Sequence, residues 1–181
     1  FERRRRRRAS HSAAPVLCQR ARQQCRALCF TGGVPIRDAQ PDDLPALLPL
    51  LRAYCDFYEA EPTGEGLREM ATSVMALPED EAFLLVATDT GGGPVGFAVC
   101  AWKWSSLRGA RVVVLDDLYV HPDARGQGHA DELIEAVAAI GRRYGAPTVS
   151  WLTATDNHRA QAVYNRVGGK SEPYLDYELE L

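Results

Sequence analysis

The sequence lacks several features that would assign it to a specialised class of protein. No apolar run approaches the roughly 18 residues that a helix needs to cross a bilayer, which excludes a membrane-spanning helix. The five cysteines form no CxxC pair and no histidine cluster accompanies them, so we predict no metal site. Reduced thiols in a cytoplasmic protein are the expectation. A chain of 181 residues with ordinary hydrophobic and charged fractions is typical of one globular domain.

Acidic residues are nearly missing from the head of the chain and abundant in the rest. Residues 1–33 hold nine basic residues and one acid, a net charge of +8. Residues 34–181 hold 12 basic and 23 acidic residues, a net charge of −11. A folded region with this negative charge repels polyanions, so we do not expect it to bind nucleic acid. It favours a small cationic substrate instead.

Residues 1–33 include six consecutive arginines and show weak apolar periodicity. A segment of this kind is typical of a tail that binds nucleic acid or acidic membranes, or of a transit-like segment. The alternative is a fragment or a mis-called upstream extension, which we favour because the excess of arginine over lysine suggests GC-rich coding. We therefore expect residues 1–33 to be a disordered basic extension and residues 34–181 to be the functional domain.

Hydrophobic periodicity in residues 34–181 switches between the strand and the helix pattern. Strands are predicted at 34–39, 82–89, 94–104, 111–120, 148–154 and 174–181, and helices at 44–59, 65–77, 127–144 and 157–167. Pro49, inside the first helix, favours a kink or a late start of that helix. The order β-α-α-β-β-β-α-β-α-β predicts one α/β domain with a mixed sheet flanked by helices on both faces.

The stretch DDLYVHPDARGQGHADELI, residues 116–134, leads from an apolar strand through a glycine-rich turn into a helix. A helix N-terminus presents unpaired N–H groups and the positive end of the helix dipole, which suits an anion. Gly126 and Gly128 would let the backbone approach that anion closely. A dinucleotide fingerprint would need a third glycine where Asp131 stands. A tight turn without a ligand is the alternative explanation of the two glycines.

Two motifs, taken together, resemble the GNAT superfamily of N-acetyltransferases. The first is Arg125-x-x-Gly128-x-Ala130 after a strand ending in LYV, which is similar to the superfamily's acetyl-coenzyme A pyrophosphate loop. The second is the segment TATDNHRAQAVYNRVGG, which resembles an Asn…Ala…Tyr…Gly motif at Asn157, Ala160, Tyr164 and Gly168. The resemblance covers residues 34–181. It implies a GNAT-like sheet with a V-shaped splay between its two central parallel strands.

The resemblance implies acetyl-coenzyme A as co-substrate, and we expect no metal. The pyrophosphate would rest on the N–H groups of the loop, and the pantetheine arm would add to the sheet as a peptide adds to an edge. The residues implied in coenzyme binding are Leu118, Tyr119, Val120, Arg125, Gly126, Gln127, Gly128, His129, Ala130 and Asn157. The superfamily often has glycine where this chain has Ala130. Asp131 lies close to the expected position of the phosphates, which is expected to weaken coenzyme affinity.

The implied reaction, acyl transfer from a thioester to an amine, needs a base and an acid. An alkylamine with a pKa near 10.4 is mostly protonated at neutral pH, so exposing its lone pair costs roughly 4 to 5 kcal/mol. In the resembled enzymes a tyrosine at the place of Tyr164 protonates the departing thiolate. Packing under the sheet is the alternative role for Tyr164.

Asp116 is the expected base, because diamine acetyltransferases, which this region resembles, carry an acid at the same place (LDD here). Capping of a turn at the strand end is the alternative for this carboxylate. Strand alternation puts Asp116 and Asp117 on opposite faces unless a bulge intervenes, so which of them faces the pocket stays open. His121 and His158 are further candidate proton carriers, although a surface role is the simpler interpretation of both.

The acceptor pocket of the superfamily usually forms from the first helix and its loop, here AYCDFYEAEPTGEG. Tyr58, Glu59 and Asp117 are expected to hold a cationic amine by cation–π and ionic contacts, while Tyr54 suits the core. We expect a cytoplasmic N-acetyltransferase acting on a polyamine- or diamine-like metabolite. An aminoglycoside or a protein amino group as acceptor, and a non-catalytic coenzyme-binding domain, stay open. Homodimers are common in the superfamily, and the sequence leaves the oligomeric state undecided.

Overall fold

A computed structural model of the protein describes residues 35–179, so the expectation for residues 1–33 lies outside the described residues. The described part contains one five-stranded sheet and four α-helices. The strands are β1 (Ile36–Asp38), β2 (Ala82–Thr88), β3 (Pro94–Ser105), β4 (Ala110–Val120) and β5 (Val149–Ser150). The helices are α1 (Leu44–Phe57), α2 (Gly64–Ala76), α3 (His129–Arg143) and α4 (His158–Arg166). The strands lie in the order β1-β2-β3-β4-β5, antiparallel except for the parallel pair β4–β5.

Helices cover both faces of the sheet, as the sequence predicts. On one face the apolar side of α3, with Leu133 and Val137, packs against Val113 and Leu115 of β4. On the opposite face α1 and α2 pack against the side chains of β2 and β3, with Leu47, Leu51, Leu67, Val86 and Phe97 all buried. Two cores separated by one sheet confirm the predicted α/β class.

The two parallel strands pair only at their beginning. Val113 and Val114 of β4 lie beside Val149 and Ser150 of β5, and no further pair follows in the ladder. β4 continues to Val120 while the chain after Ser150 leaves the sheet, which gives the V-shaped splay that the family resemblance implies. The strand predicted at 148–154 is therefore only two residues long, because the divergence removes its partner.

A bulge in β4 changes which way the two acids point. Val99 of β3 pairs with Asp117 and Cys100 pairs with Leu115, so Asp116 is the extra residue of the bulge. Leu115 and Leu118 both pack into the core on the α3 face, although their spacing is odd. Strict alternation is therefore broken between them, and Asp116 and Asp117 both lie on the α1 side of the sheet.

Two further predictions differ from the structure. α1 runs without interruption through Pro49, an exposed residue whose missing N–H costs the helix a single hydrogen bond. The terminal strand expected at 174–181 is wrong for the described residues, since residues 170–179 pair with none of the five strands. Tyr174, Leu175, Tyr177 and Leu179 are each at least 76% exposed. Alternation alone therefore does not make a strand: the segment pairs with neither edge strand of the sheet, β1 or β5.

None of the helices within residues 35–179 combines the length and the apolar character that crossing a bilayer requires.

Candidate active site

A cleft of about 1030 Å³ lies between the end of β4, the loop before α3, and α4, with α1 closing one side. It opens where β4 and β5 diverge. The predicted residues that line it are Tyr58, Leu118, Tyr119, Val120, Arg125, Gly126, Gly128, His129, Ala130, Asn157 and Tyr164. The splay, the loop and α4 are thus brought to one place, as the resemblance implies.

The loop at 125–130 holds its shape through backbone conformation. Gly126 and Gly128 adopt left-handed φ values of 78° and 89°, which glycine tolerates and other residues rarely adopt. A Cβ atom on either would meet no atom within 4 Å, so nothing covers the backbone there. Gly128 is also the N-cap of α3, and no side chain caps this helix end. The N–H groups of the first turn are therefore available to an anion, and the loop fits a phosphate group.

Arg125 fastens the loop to the end of β4. Its Nε donates a hydrogen bond to the carbonyl oxygen of Val120 at 2.9 Å. Its guanidinium also lies 5.7 Å from the centre of the Tyr119 ring, a cation–π contact. These two contacts fix the position of the loop at 125–130 relative to the end of β4.

His129 contributes to the cleft through its position at the helix start, while its imidazole is buried. The residue is only 5% exposed, and its Nδ1 has no hydrogen-bond partner. Burial lowers the pKa of the imidazole, so the ring is neutral at physiological pH. A ligand would therefore contact His129 only through its backbone N–H. The buried ring holds the first turn of α3 against the rest of the protein.

α4 carries the second motif along the opposite wall. The Oδ1 of Asn157, the N-cap residue, accepts a hydrogen bond from the Ala160 N–H at 3.1 Å, which leaves the side-chain amide group as the part that could contact a ligand. Tyr164 is half-buried, with its ring centre 5.3 Å from that of Trp151. Burial, and to a smaller degree Tyr58, raise the pKa of the Tyr164 hydroxyl. It therefore keeps its proton at neutral pH and has the protonation state that an acid requires.

On the α1 side of the sheet, Asp117 of β4 lies beside an aromatic wall. Burial, followed by the negative charge of the nearby Asp117 carboxylate, raises the pKa of the Tyr54 hydroxyl. Burial raises the pKa of the Asp117 carboxyl, although Tyr54 opposes that shift. Asp116 is exposed at the bulge, where partial desolvation and the neighbouring Asp117 raise the pKa of its carboxyl. Neither carboxylate lines the cleft itself, whereas Tyr54 does.

The wall consists of aromatic rings in edge-to-face contact. Tyr54 lies 5.0 Å from Tyr58 and 6.4 Å from Tyr119, measured between ring centres. Phe57 lies 5.0 Å from Tyr58, and these two residues are 60% and 46% exposed. Exposed aromatic rings beside a buried carboxylate attract an organic cation through their π faces.

Several predicted residues stand outside the lining. Gln127 is exposed and its amide donates to the Asp123 carbonyl oxygen at 3.4 Å. Glu59 is exposed just after α1, with a φ of 56° that is unusual for a residue other than glycine. His121 and His158 do not line the cleft either. The roles assigned to these residues stay predictions.

Sequence reasoning missed part of the lining. Tyr54 was expected in the core, and the lining residues that carried no sequence prediction of a ligand contact are Phe57, Ala124, Arg159, Ala160, Val163 and Arg166. Phe57 could have been found from its helical spacing to Tyr54. Ala160 belongs to the second motif, which gave no contact for it. Arg159, Val163 and Arg166 had no signal, because they reach the cleft only through the packing of α4, and Ala124 reaches it from the turn before Arg125. The site as a whole brings an uncapped helix N-terminus and a group of aromatic rings into one cleft.

Comparison with known proteins agrees with this geometry. Residues 47–169, more than half of the chain, match the profile of the acetyltransferase (GNAT) family. The chain therefore belongs to the GNAT family of acetyltransferases, which use acetyl-coenzyme A as co-substrate, and it is an acyltransferase of the N-acetyltransferase type.

The relatives are named for amine acetylation. The D-amino-acid N-acetyltransferase HPA3 of Saccharomyces cerevisiae is 32% identical over 146 residues, which cover 78% of this chain and 88% of that protein. The thialysine N-epsilon-acetyltransferase of Bos taurus is 28% identical over 145 residues, 76% of this chain and 84% of that protein. The crystal structure of a probable acetyltransferase superposes with a TM-score of 0.70 at 28% identity, and the alignment covers 81% of this chain and 97% of that one.

Proposed function

We propose that this protein transfers the acetyl group of acetyl-coenzyme A to the primary amine of a small cationic metabolite. The observation that carries the proposal is that one cleft has an uncapped helix N-terminus at one end and an aromatic wall backed by a carboxylate at the other. An anionic donor and a cationic acceptor would each find its complement there. Tyr164 lines the same cleft.

The coenzyme would occupy the end of the cleft beside α3. Backbone N–H groups of residues 126–130 and the side chain of Arg125 would hold the pyrophosphate at the positive end of the helix. The backbone of residues 118–120 would pair with the pantetheine arm, since β5 no longer pairs with β4 at that level. The Asn157 amide would add one contact from α4. These contacts would direct the thioester toward Tyr164.

The acceptor amine would enter along the aromatic wall. Its ammonium group would lie against the rings of Tyr54, Phe57 and Tyr58, with Asp117 supplying the compensating charge behind them. Glu59 at the end of α1 would serve an acceptor with a second positive charge. The names of the relatives, which include a D-amino-acid and a thialysine acetyltransferase, support an amine carried on a small molecule.

The transfer itself would proceed by direct attack. Asp116, which does not line the cleft, would accept one proton from the ammonium group through a water molecule and free the nitrogen lone pair. The nitrogen then forms a bond to the acetyl carbon, and the carbon–sulfur bond breaks. The Tyr164 hydroxyl donates its proton to the departing sulfur, which leaves as the free thiol, and the second proton of the acetylated nitrogen passes through water to the Tyr164 oxygen and restores the hydroxyl. A neighbouring base or acid of this kind typically contributes about 10²–10⁴ in rate.

The test is thiol release from acetyl-coenzyme A by the full chain across a panel of amines. The panel holds putrescine, spermidine, lysine and thialysine, D- and L-amino acids without a second amine, an aminoglycoside and a lysine-containing peptide. Turnover is expected with small amines that carry an additional positive charge. Turnover with only the peptide, or only the aminoglycoside, would mean that the acceptor is a protein amino group or an aminoglycoside and not a small cationic metabolite. Coenzyme binding by calorimetry without any turnover would favour a non-catalytic coenzyme-binding domain.

A further inference from the structure

An ion pair joins the two walls of the cleft at its coenzyme end. Asp131 lies in the first turn of α3, and Arg166 is the last residue of α4. The Arg166 Nε and one terminal nitrogen each lie 2.8 Å from a different oxygen of the Asp131 carboxylate. This is the two-pronged geometry in which a guanidinium and a carboxylate interact most strongly. Both residues line the cleft.

The position of Asp131 conflicts with the proposed use of the site. It follows Ala130 directly, so a carboxylate stands beside N–H groups that would bind phosphates. Arg166, through its hydrogen bonds, lowers the pKa of the Asp131 carboxyl, which is thus ionised at neutral pH. An unpaired negative charge there would repel a pyrophosphate across a few ångströms, and it would cancel part of the attraction of the helix dipole.

We infer that Arg166 is a positioning residue for the coenzyme, which acts by neutralising Asp131 and by fixing α4 against the phosphate loop. The inference rests on the proposed function, because it assigns the anion to a coenzyme. Tyr164 lies two residues before Arg166 on α4, so the same ion pair sets the distance between the Tyr164 wall and the loop. Because Arg166 neutralises the carboxylate, an acid is tolerated at position 131 beside the N–H groups proposed to bind phosphates.

Two possible roles of this ion pair predict different results for single and double variants. In charge compensation, Arg166 neutralises the charge of Asp131; in stapling, the pair only holds α3 and α4 together. With compensation, Arg166→Gln leaves Asp131 unpaired, and the dissociation constant of coenzyme A rises about fivefold to tenfold. Asp131→Asn removes the repelling charge and leaves affinity equal to wild type or tighter. The double variant returns to within about twofold of wild type. With stapling, both single variants and the double variant weaken binding to the same extent.

The experiment measures coenzyme A binding by calorimetry in the full-length wild type and these three variants, at low and at high salt. Arg166→Lys keeps the charge and loses the two-pronged geometry, so it is expected to retain most of the affinity. Arg142→Gln is the matched control, because it breaks an exposed ion pair with Glu135 on α3, away from the cleft. Circular dichroism checks that each variant is folded. The loss in Arg166→Gln should shrink at high salt.

The outcomes separate this inference from the proposed function. Equal weakening in Asp131→Asn, Arg166→Gln and the double variant would overturn compensation and leave the coenzyme site intact. Unchanged affinity in Arg166→Gln would also overturn it. Wild-type protein that does not bind coenzyme A would overturn the proposed function, and this inference with it. A steady-state readout adds to the test: Arg166→Gln should raise the KM for acetyl-coenzyme A more than it lowers kcat.

Discussion

The two ends of the cleft are built from different parts of the chain and by different means. The end proposed to bind the coenzyme, called the coenzyme end, uses backbone: left-handed glycines, an uncapped helix terminus and the unpaired side of β4. The end proposed to bind the amine, called the acceptor end, uses side chains: aromatic rings of α1 and β4 beside Asp117. Substitutions alter a site built from side chains more readily than one built from backbone, so the two ends should respond differently to mutation.

The largest effect on kcat is expected from Tyr164, which lies between the two ends of the cleft. Tyr164→Phe removes the proposed acid and keeps the ring on Trp151, so kcat should fall roughly 10²–10³-fold. The dissociation constant of coenzyme A should stay within about twofold of wild type, as calorimetry would show. A comparable fall in coenzyme affinity would mean that Tyr164 belongs to the coenzyme end and is not the acid.

The acceptor end should respond to the loss of either acid, and in different ways. Asp116→Asn removes the proposed base and should lower kcat about a hundredfold. Asp117→Asn keeps an oxygen that can accept from Tyr54 and should mainly raise the KM of the amine, about fivefold. Because the pKa of the Asp116 carboxyl is raised, kcat in the wild type should fall as the pH drops through that raised value. A steady-state series in amine concentration and pH checks all three effects; exchanged roles for the two variants would make Asp117 the base.

The coenzyme end should respond to backbone strain. Gly128→Val forces a branched side chain to adopt a φ of 89°, which costs about 1–2 kcal/mol, and coenzyme A binding should weaken roughly tenfold as the loop relaxes. Gly109→Val is the matched control, because Gly109 has a φ of 59° in the turn between β3 and β4 and also has open space around it. Both variants should lose thermal stability, but only Gly128→Val should lose coenzyme affinity in calorimetry.

The smallest effect concerns the anchor of the coenzyme loop. The pKa of buried His129 lies below its ordinary value of 6.5, so the folded protein favours the neutral ring. Its contribution to stability is present above pH 6.5 and is lost as the pH falls through the lowered pKa of the folded state. His129→Leu should therefore make the unfolding temperature less dependent on pH between 7.5 and 5. An unchanged slope in a thermal melt would mean that His129 is not the group responsible.

Local patterns were sufficient for the four helices, for the first four strands and for the glycine turn before α3. The glycine turn before α3 was predicted from residues 125–130 alone, because the left-handed conformation, the helix start and the motif are all local properties of the chain. The two helix-covered faces followed from apolar periodicity. The V-shaped splay came from the family resemblance, and the register of β4 with β5 agrees with it.

Non-local contacts decided what local patterns could not. The pairing of β3 with β4 creates the bulge at Asp116 and turns both acids to one side of the sheet. The pattern YLDYELEL alternates like a strand, yet residues 170–179 pair with no strand of the sheet, because pairing depends on contacts with distant residues that alternation does not encode. Asp131 and Arg166, 35 residues apart, meet only because α3 and α4 pack on facing walls of the cleft.

The sequence by itself determined the class of fold, the place of the glycine loop before α3 and the family, since each depends on residues that are neighbours in the chain. Only the tertiary structure decided which side chains form the acceptor wall, how Asp116 and Asp117 are oriented, and which cation neutralises Asp131. These properties depend on strand register and helix packing. Register and packing are set by the total apolar surface that is buried in the two cores and by the pairing of strands that are distant in the sequence. A local sequence pattern specifies neither of them.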